Sequence, residues 1–118
     1  MRRSPLWLAG ILAGGILSSV AFSVQAETIE EGGKLYNNTT CVACHGKDGK
    51  GKLPGVPDFT KKGGRLTKTD DVLASNIMNG FKSPGSSMAM PAKGGVSSLT
   101  QEQAEAIVSY MRQAFAGN

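Results

Sequence analysis

The chain is short of several residue types, and each shortage narrows what it can be. Among its 118 residues are two cysteines and one histidine. A structural zinc site takes about four ligands, usually Cys and His, so this chain cannot supply an ordinary one from those residues alone. Beyond Ala26 there is no tryptophan, and the aromatic residues are Tyr36, Phe59, Phe81, Tyr110 and Phe115. That is a thin core for a small domain, and something besides its own side chains is expected to help fill the interior. No alternating apolar run of strand length occurs, which leaves an all-α fold class. Finally, no charged residue occurs from Ser4 to Ala26.

That uncharged stretch reads as an export signal. Arg2 and Arg3 precede the apolar run Leu6–Leu17, and Val24 and Ala26 place small residues at the −3 and −1 positions before Glu27. Residues 1–26 are read as a signal peptide and 27–118 as the folded domain. The location expected is then periplasmic. If the signal is not cleaved, the chain is membrane-anchored, although the run is short and diluted for a span of roughly 20 apolar residues. Removing Arg2 and Arg3 leaves 11 basic and 9 acidic residues. So slight an excess argues against nucleic acid as a partner.

Three helices are expected in the domain. The first runs from about Thr28 to Asn37, with its acidic residues at the N-terminal end, where the helix dipole favours them. Its Gly32–Gly33 pair is unfavourable for a helix by roughly 1 kcal/mol per residue against Ala, which points to close backbone approach. The second is "TDDVLASNIMNG", with Thr69 as cap, Gly80 as terminator, and Val72, Leu73, Ile77 and Phe81 on its apolar face. The third follows the capping-box pattern of Thr100 and Gln103. Ala104, Ile107, Val108, Met111 and Phe115 recur there at helical spacing, and Gly117 follows the end. The connections "HGKDGKGKLPGVPDF" and "SPGSSMAMPAKGG" are dense in Gly and Pro and read as loops.

Both cysteines and the histidine fall within "CVACH", residues 41–45. A thioredoxin-type dithiol needs a βαβ context that is missing. A plain disulfide closing so small a loop constrains the unfolded chain little. The remaining reading is C-x-x-C-H as a haem c attachment site. The thiols of Cys41 and Cys44 add across the vinyl groups of the porphyrin to form thioethers, and His45 lies where its imidazole reaches the iron. The neighbouring "GKDGKGK" imitates a phosphate loop, but Leu53 stands where Ser or Thr must hold the metal and no strand precedes it. It reads instead as a flexible, solvated turn with its lysines facing water.

With no second His, two-histidine ligation within the chain is excluded. A Met thioether is the natural second axial ligand, and His/Met ligation raises the reduction potential. Met78 and Met111 lie on apolar helix faces and read as core filler. Met88 and Met90 lie in the Gly/Pro loop, with Pro91 stiffening the backbone beside Met90.

On "GGKLYNNTTCVACHG", "PDF" and "MAMPAKGG" the chain resembles class I single-haem bacterial cytochromes c over the whole of residues 27–118. The resemblance implies about three core helices wrapped around one covalent haem c and its iron, with His45 and Met90 as axial ligands and Met88 as the alternative. It implies that the carbonyl of Pro57, with Pro54 the weaker choice, orients the imidazole of His45. It also implies that Gly32, Tyr36, Ile107 and Tyr110 pack the first helix against the last. Many relatives carry Trp shortly after the Met-Pro pair; Lys93 stands there in this chain, so the haem propionates need other partners.

The function expected is electron transfer rather than catalysis, with redox proteins as partners. Lys47, Lys50, Lys52, Lys82 and Lys93 border the two loops and would suit acidic docking surfaces. The alternatives are a haem subunit held permanently in a periplasmic dehydrogenase, oxidase or reductase, or an open-site haem sensor or peroxidase. The last requires that neither Met ligates the iron.

Overall fold

A computed structural model describes Gly10, Gly14 and residues 20–116. The basic pair, the rest of the Leu6–Leu17 run, Trp7 and Gly117 lie outside the described residues. Within them the fold is all-α, as the sequence implies. Four α-helices occur: α1 (Val20–Asn38), α2 (Cys41–His45), α3 (Asp70–Asn79) and α4 (Gln101–Phe115), with 3₁₀ turns at Arg65–Thr67 and Ala92–Gly95. The extended pairing is confined to one isolated antiparallel bridge between Phe81 and Met90.

α1 and α4 cross and form the main seam of the molecule. Gly32 is the reason they come so close: a Cβ there would overlap the carbonyl oxygen of Ala106 on α4. One turn along, Tyr36 is completely buried, and its ring centroid lies 5.4 Å from Tyr110 and 5.6 Å from Phe115. Asn37 closes the seam by donating from Nδ2 to the Gly33 carbonyl and to the Tyr110 hydroxyl. The pairing of Gly32, Tyr36, Ile107 and Tyr110 implied by the resemblance is thus present.

α4 keeps its expected face. Ala104, Ile107, Val108, Met111 and Phe115 are all buried, and both bonds of the capping box form, from Gln103 N to Thr100 Oγ1 and from Thr100 N to Gln103 Oε1. α3 ends at Gly80, whose φ of 79° suits glycine. It departs from expectation in two ways. Thr69 occupies the N-cap position without a side-chain capping bond, and Val72 is 43 % exposed, with Ala74 taking its place in the core.

α1 corrects the first expected helix. It is already helical at Val20, well before the expected start near Thr28, because "VAFSVQA" contains no Gly or Pro to stop a helix. Glu27, Glu30 and Glu31 therefore lie within it instead of at its N-terminal end. Lys34 pairs with Glu30 one turn away at 2.7 Å, with both side chains exposed.

Candidate functional site

A cavity opens in the core, with empty space of about 1120 Å³ counting the part open to solvent. Its lining overlaps the core itself: Tyr36, Phe59, Leu73, Ile77, Ile107 and Met111 belong to both. Cys41, Cys44 and His45 bring α2 to one part of this lining, and Met88, Met90 and Pro91 bring the long loop to another.

α2 is a single short turn, so the i, i+3, i+4 spacing puts both thiols and the imidazole toward one side. Neither cysteine is in a disulfide. The loop that follows holds this turn more firmly than a flexible connection would. Gly46 N donates to Val42 O at 2.9 Å, Gly51 N to His45 O at 2.9 Å, and Lys52 N to Cys44 O at 2.8 Å. Gly49 receives the N–H of Phe59 at 2.8 Å. Its φ is 71°, and a Cβ on it would lie 2.7 Å from the Phe115 ring. The expectation of a flexible, solvated turn is therefore corrected: Lys47, Lys50 and Lys52 do face water, but the backbone folds back as a clamp on the cysteine motif. Tyr36 completes it by donating its hydroxyl to Gly46 O at 2.7 Å, and burial of this phenol pushes its pKa up.

His45 stacks on Phe59 with centroids 4.7 Å apart. Burial lowers its pKa and so favours the neutral imidazole, the form that ligates a metal. Its Nδ1 is buried with no hydrogen-bond partner. Pro57 lines the cavity, but the bond expected from Nδ1 to its carbonyl is not formed. The Val56 and Pro57 carbonyls lie instead against Gly51, where a Cβ would meet them at 2.8 and 3.3 Å. Pro54 is exposed and does not line the cavity.

The two candidate methionines differ in how they are held. Met90 exchanges both backbone bonds with Phe81, at 2.8 and 3.0 Å, and packs against the core. Gly80 makes this possible, because a Cβ there would lie 2.7 Å from the Met90 carbonyl. Met88 is 41 % exposed and has only Ser86 as a backbone partner. Met111 is buried and Met78 packs against the core. Thr40, just before the cysteine motif, donates its hydroxyl to the Gly94 carbonyl and so ties the two sides of the rim together. Lys93 has a left-handed backbone, φ 56°, and its Nζ donates to Ser97 O, so unlike Lys82 it is not a free surface cation.

A covalently attached haem fits this lining. The walls are chiefly apolar, the thiols are unpaired, and an imidazole with an orphaned ring nitrogen stands beside them. Sequence reasoning missed Arg65, a half-buried cation in the lining, and the support given by Tyr36 and Phe59; only the "PDF" segment hinted at the last.

The described helices include none long and apolar enough to cross a membrane. A sequence model described as cytochrome c oxidase, cbb3-type, subunit III matches residues 27–111. Among curated proteins the chain is similar to cytochrome c-555 of Chlorobaculum tepidum, 33 % identical over 96 residues that cover 81 % of this chain and 82 % of that one. It is also similar to cytochrome c-555 of Chlorobaculum thiosulfatiphilum, 35 % identical over 79 residues, or 67 % of this chain and 88 % of that one. No solved structure matches. With a family match across most of its length laid over a cavity that joins C-x-x-C-H to a methionine loop, the chain belongs to the cytochrome c family and is a monohaem c-type cytochrome with covalently bound haem c.

Proposed function

We propose that this cytochrome is a one-electron carrier in which Cys41 and Cys44 hold the haem and His45 and Met90 occupy both axial positions of its iron. The observation that carries the reading is the meeting of α2 and the Met90 loop on one apolar cavity. The bound haem supplies the ferrous–ferric couple. The residues of the chain do the rest. Cys41 and Cys44 would hold the cofactor through their thiols, the clamp from Gly46 to Lys52 would hold the imidazole of His45, and the Phe81–Met90 bridge would hold the thioether. With His45 and Met90 both holding the iron, no open site would remain for substrate, and the protein would cycle between redox states without acting as an enzyme.

Met90 is preferred to Met88 because its backbone is pinned and its side chain packs on the core. Pro57 is the acceptor for Nδ1 of His45 in the haem-bound protein: it lines the same cavity, and that nitrogen otherwise has no partner. Such a bond fixes the ring and raises its basicity. The signal read in residues 1–26 supports export with cleavage after Ala26. Acidic redox partners are favoured by the exposed Lys47, Lys50, Lys52 and Lys82.

The test is the absorption spectrum of the ferric protein. The weak far-red band of Met–ferric ligation is expected in the native protein and in Met88→Ala, and is expected to vanish in Met90→Ala. Loss in Met88→Ala alone would reverse the assignment. Absence from the native protein, with carbon monoxide binding to its ferrous form, would replace the carrier reading by an open-site one. The family description, which names an oxidase subunit, favours one second reading, a haem subunit of a complex. Gel filtration of the protein from its native source separates the two, since a free carrier elutes near its own mass.

A further inference from the structure

The cavity lining carries one cation. Among its residues Arg65 is the only Lys or Arg, and no Asp or Glu accompanies it. Arg65 opens the 3₁₀ turn Arg65–Thr67, whose middle residue Leu66 is buried in the core and so fixes the backbone. Its guanidinium carbon lies 4.9 Å from the centroid of the Phe81 ring, and Nη2 donates to Ser83 Oγ. Both partners are neutral.

The other half-buried arginine makes the contrast. Arg112 meets the Asp70 carboxylate and donates to the carbonyls of Leu66 and Lys68. Among the described residues the ion pairs are that one and Lys34–Glu30; Arg65 has no counter-ion. A guanidinium offers several N–H donors in a planar fork that matches a carboxylate. A partly desolvated charge that lacks an opposite charge is unfavourable until one arrives. The cavity therefore holds a built cationic corner in an apolar wall, aimed at a ligand that is apolar for most of its area and anionic at one edge.

We propose that Arg65 is the counter-ion of a haem propionate and ties that edge of the cofactor to the Met90 loop. This rests on the haem reading above. The tie runs through two residues of the loop. Phe81, under the guanidinium, is the residue whose backbone pairs with Met90. Ser83, which accepts from Nη2, lies two positions further on. One side chain thus takes the part that relatives with Trp after the Met-Pro pair give to a different residue, and it acts on the thioether as a positioning residue.

The experiment compares haem-loaded native protein with Arg65→Gln, Arg65→Lys, Ser83→Ala and Lys82→Gln. Two readouts are used: the reduction potential by spectroelectrochemical titration, and the denaturant concentration at which the Met–ferric band is lost. Arg65→Gln leaves the propionate charge uncompensated, which favours ferric iron. Its potential is expected to fall, and its band to be lost at lower denaturant. Arg65→Lys restores most of the potential, being a point charge, and only part of the band stability. Lys82→Gln, an exposed cation of the same loop, shifts the potential less than Arg65→Gln. An unchanged potential in Arg65→Gln overturns the proposal, as does a shift that Lys82→Gln or Ser83→Ala reproduces in full. If Arg65→Gln does not fold, nuclear Overhauser contacts between the Arg65 side chain and propionate protons in the ferrous native protein decide it: their presence supports the assignment and their absence overturns it. A native protein without covalent haem would instead sink the haem reading, whereas haem present with an indifferent Arg65 sinks this inference alone.

Discussion

Replacing Gly32 by Ala sets two opposite effects against each other. In a helix interior Ala is favoured over Gly by about 1 kcal/mol, so on propensity alone Gly32→Ala stabilises the protein. At the seam the sign reverses. The new Cβ would overlap the Ala106 carbonyl and lie 3.0 Å from Ile107 N, both backbone atoms of α4 that cannot rotate away. Ordinary contact is restored only if the helices separate by an amount on the order of 1 Å, and such a gap forfeits about a quarter to a half of each dispersion contact across it. Tyr36, Ile107 and Tyr110 all pack in that seam, with roughly 40–60 contacts of about 0.1–0.2 kcal/mol for each large buried side chain. The loss is then at least about 3 kcal/mol against a gain of about 1, a net destabilisation of ~2 kcal/mol or more. Equilibrium urea unfolding of the haem-loaded protein, followed by far-ultraviolet circular dichroism, measures it. Gly33→Ala is the internal control: its Cβ would meet only the Tyr110 ring, at 3.0–3.1 Å, and a ring can swing by a few tenths of an ångström. It is expected within ~1 kcal/mol of the native protein, since relief by ring motion leaves mainly the propensity gain. A Gly32→Ala protein as stable as Gly33→Ala would refute the claim that backbone contact sets the seam.

Tyr36→Phe removes the donor to a buried carbonyl while keeping the ring, so about 1–3 kcal/mol of stability should be lost; denaturant midpoints check this, and an unchanged midpoint would show that the Gly46 clamp does not need the hydroxyl. Asp58 accepts from Thr60 Oγ1 and N at 2.6 and 2.9 Å, and these bonds lower its pKa below 3.8. A carboxylate depressed on folding adds stability above its unfolded pKa that disappears as pH falls through the folded value. Acid titration of stability in Asp58→Asn should therefore be flatter than in the native protein from about pH 4 downward, and parallel curves would remove Asp58 from the account.

The parts legible in the sequence were those set by local covalent spacing or by one turn of helix. C-x-x-C-H fixes its own geometry within five residues. Thr100 and Gln103 satisfy each other's backbone, and Gly80 stops α3 because of its own φ. What stayed hidden depends on partners far along the chain. The start of α1 has no local punctuation, so nothing between Val20 and Thr28 announces a boundary. Val72 and Ala74 are both apolar, and only the elements packed on α3, which are α4 and the 3₁₀ turn Ala92–Gly95, decide which is buried. The loop after His45 looked mobile because it is rich in Gly and Lys. Those glycines are instead required by close approach: Gly49 by Phe115 from the opposite end of the chain, and Gly51 by the Val56 and Pro57 carbonyls. Arg65 gave no signal, since a lone arginine before a helix resembles any surface residue until the fold places it in the cavity wall.

The overlap between core and cavity explains why so few aromatic residues suffice. Tyr36, Phe59, Leu73, Ile77, Ile107 and Met111 pack partly on one another and partly on the cavity. These side chains are already buried from solvent, so a filled cavity would add dispersion contacts on their inner sides rather than new burial. A ligand bound only by the folded state adds its binding free energy to stability. Covalent attachment, proposed at Cys41 and Cys44, would remove the concentration dependence of that gain, because the cofactor remains on the chain in the unfolded state as well. The same packing serves electron transfer. Walls from α1, α3 and α4 meet around one space, so the residues proposed to hold the iron, His45 and Met90, would gain or lose little freedom on a change of redox state. The Met90 loop is held to the core by the Phe81 bridge, by Thr40 at the rim and by Arg65 over Phe81. On the Met90 ligation proposed above, this loop, rather than the cysteine turn, is where changes of sequence would most readily retune the potential without unmaking the fold.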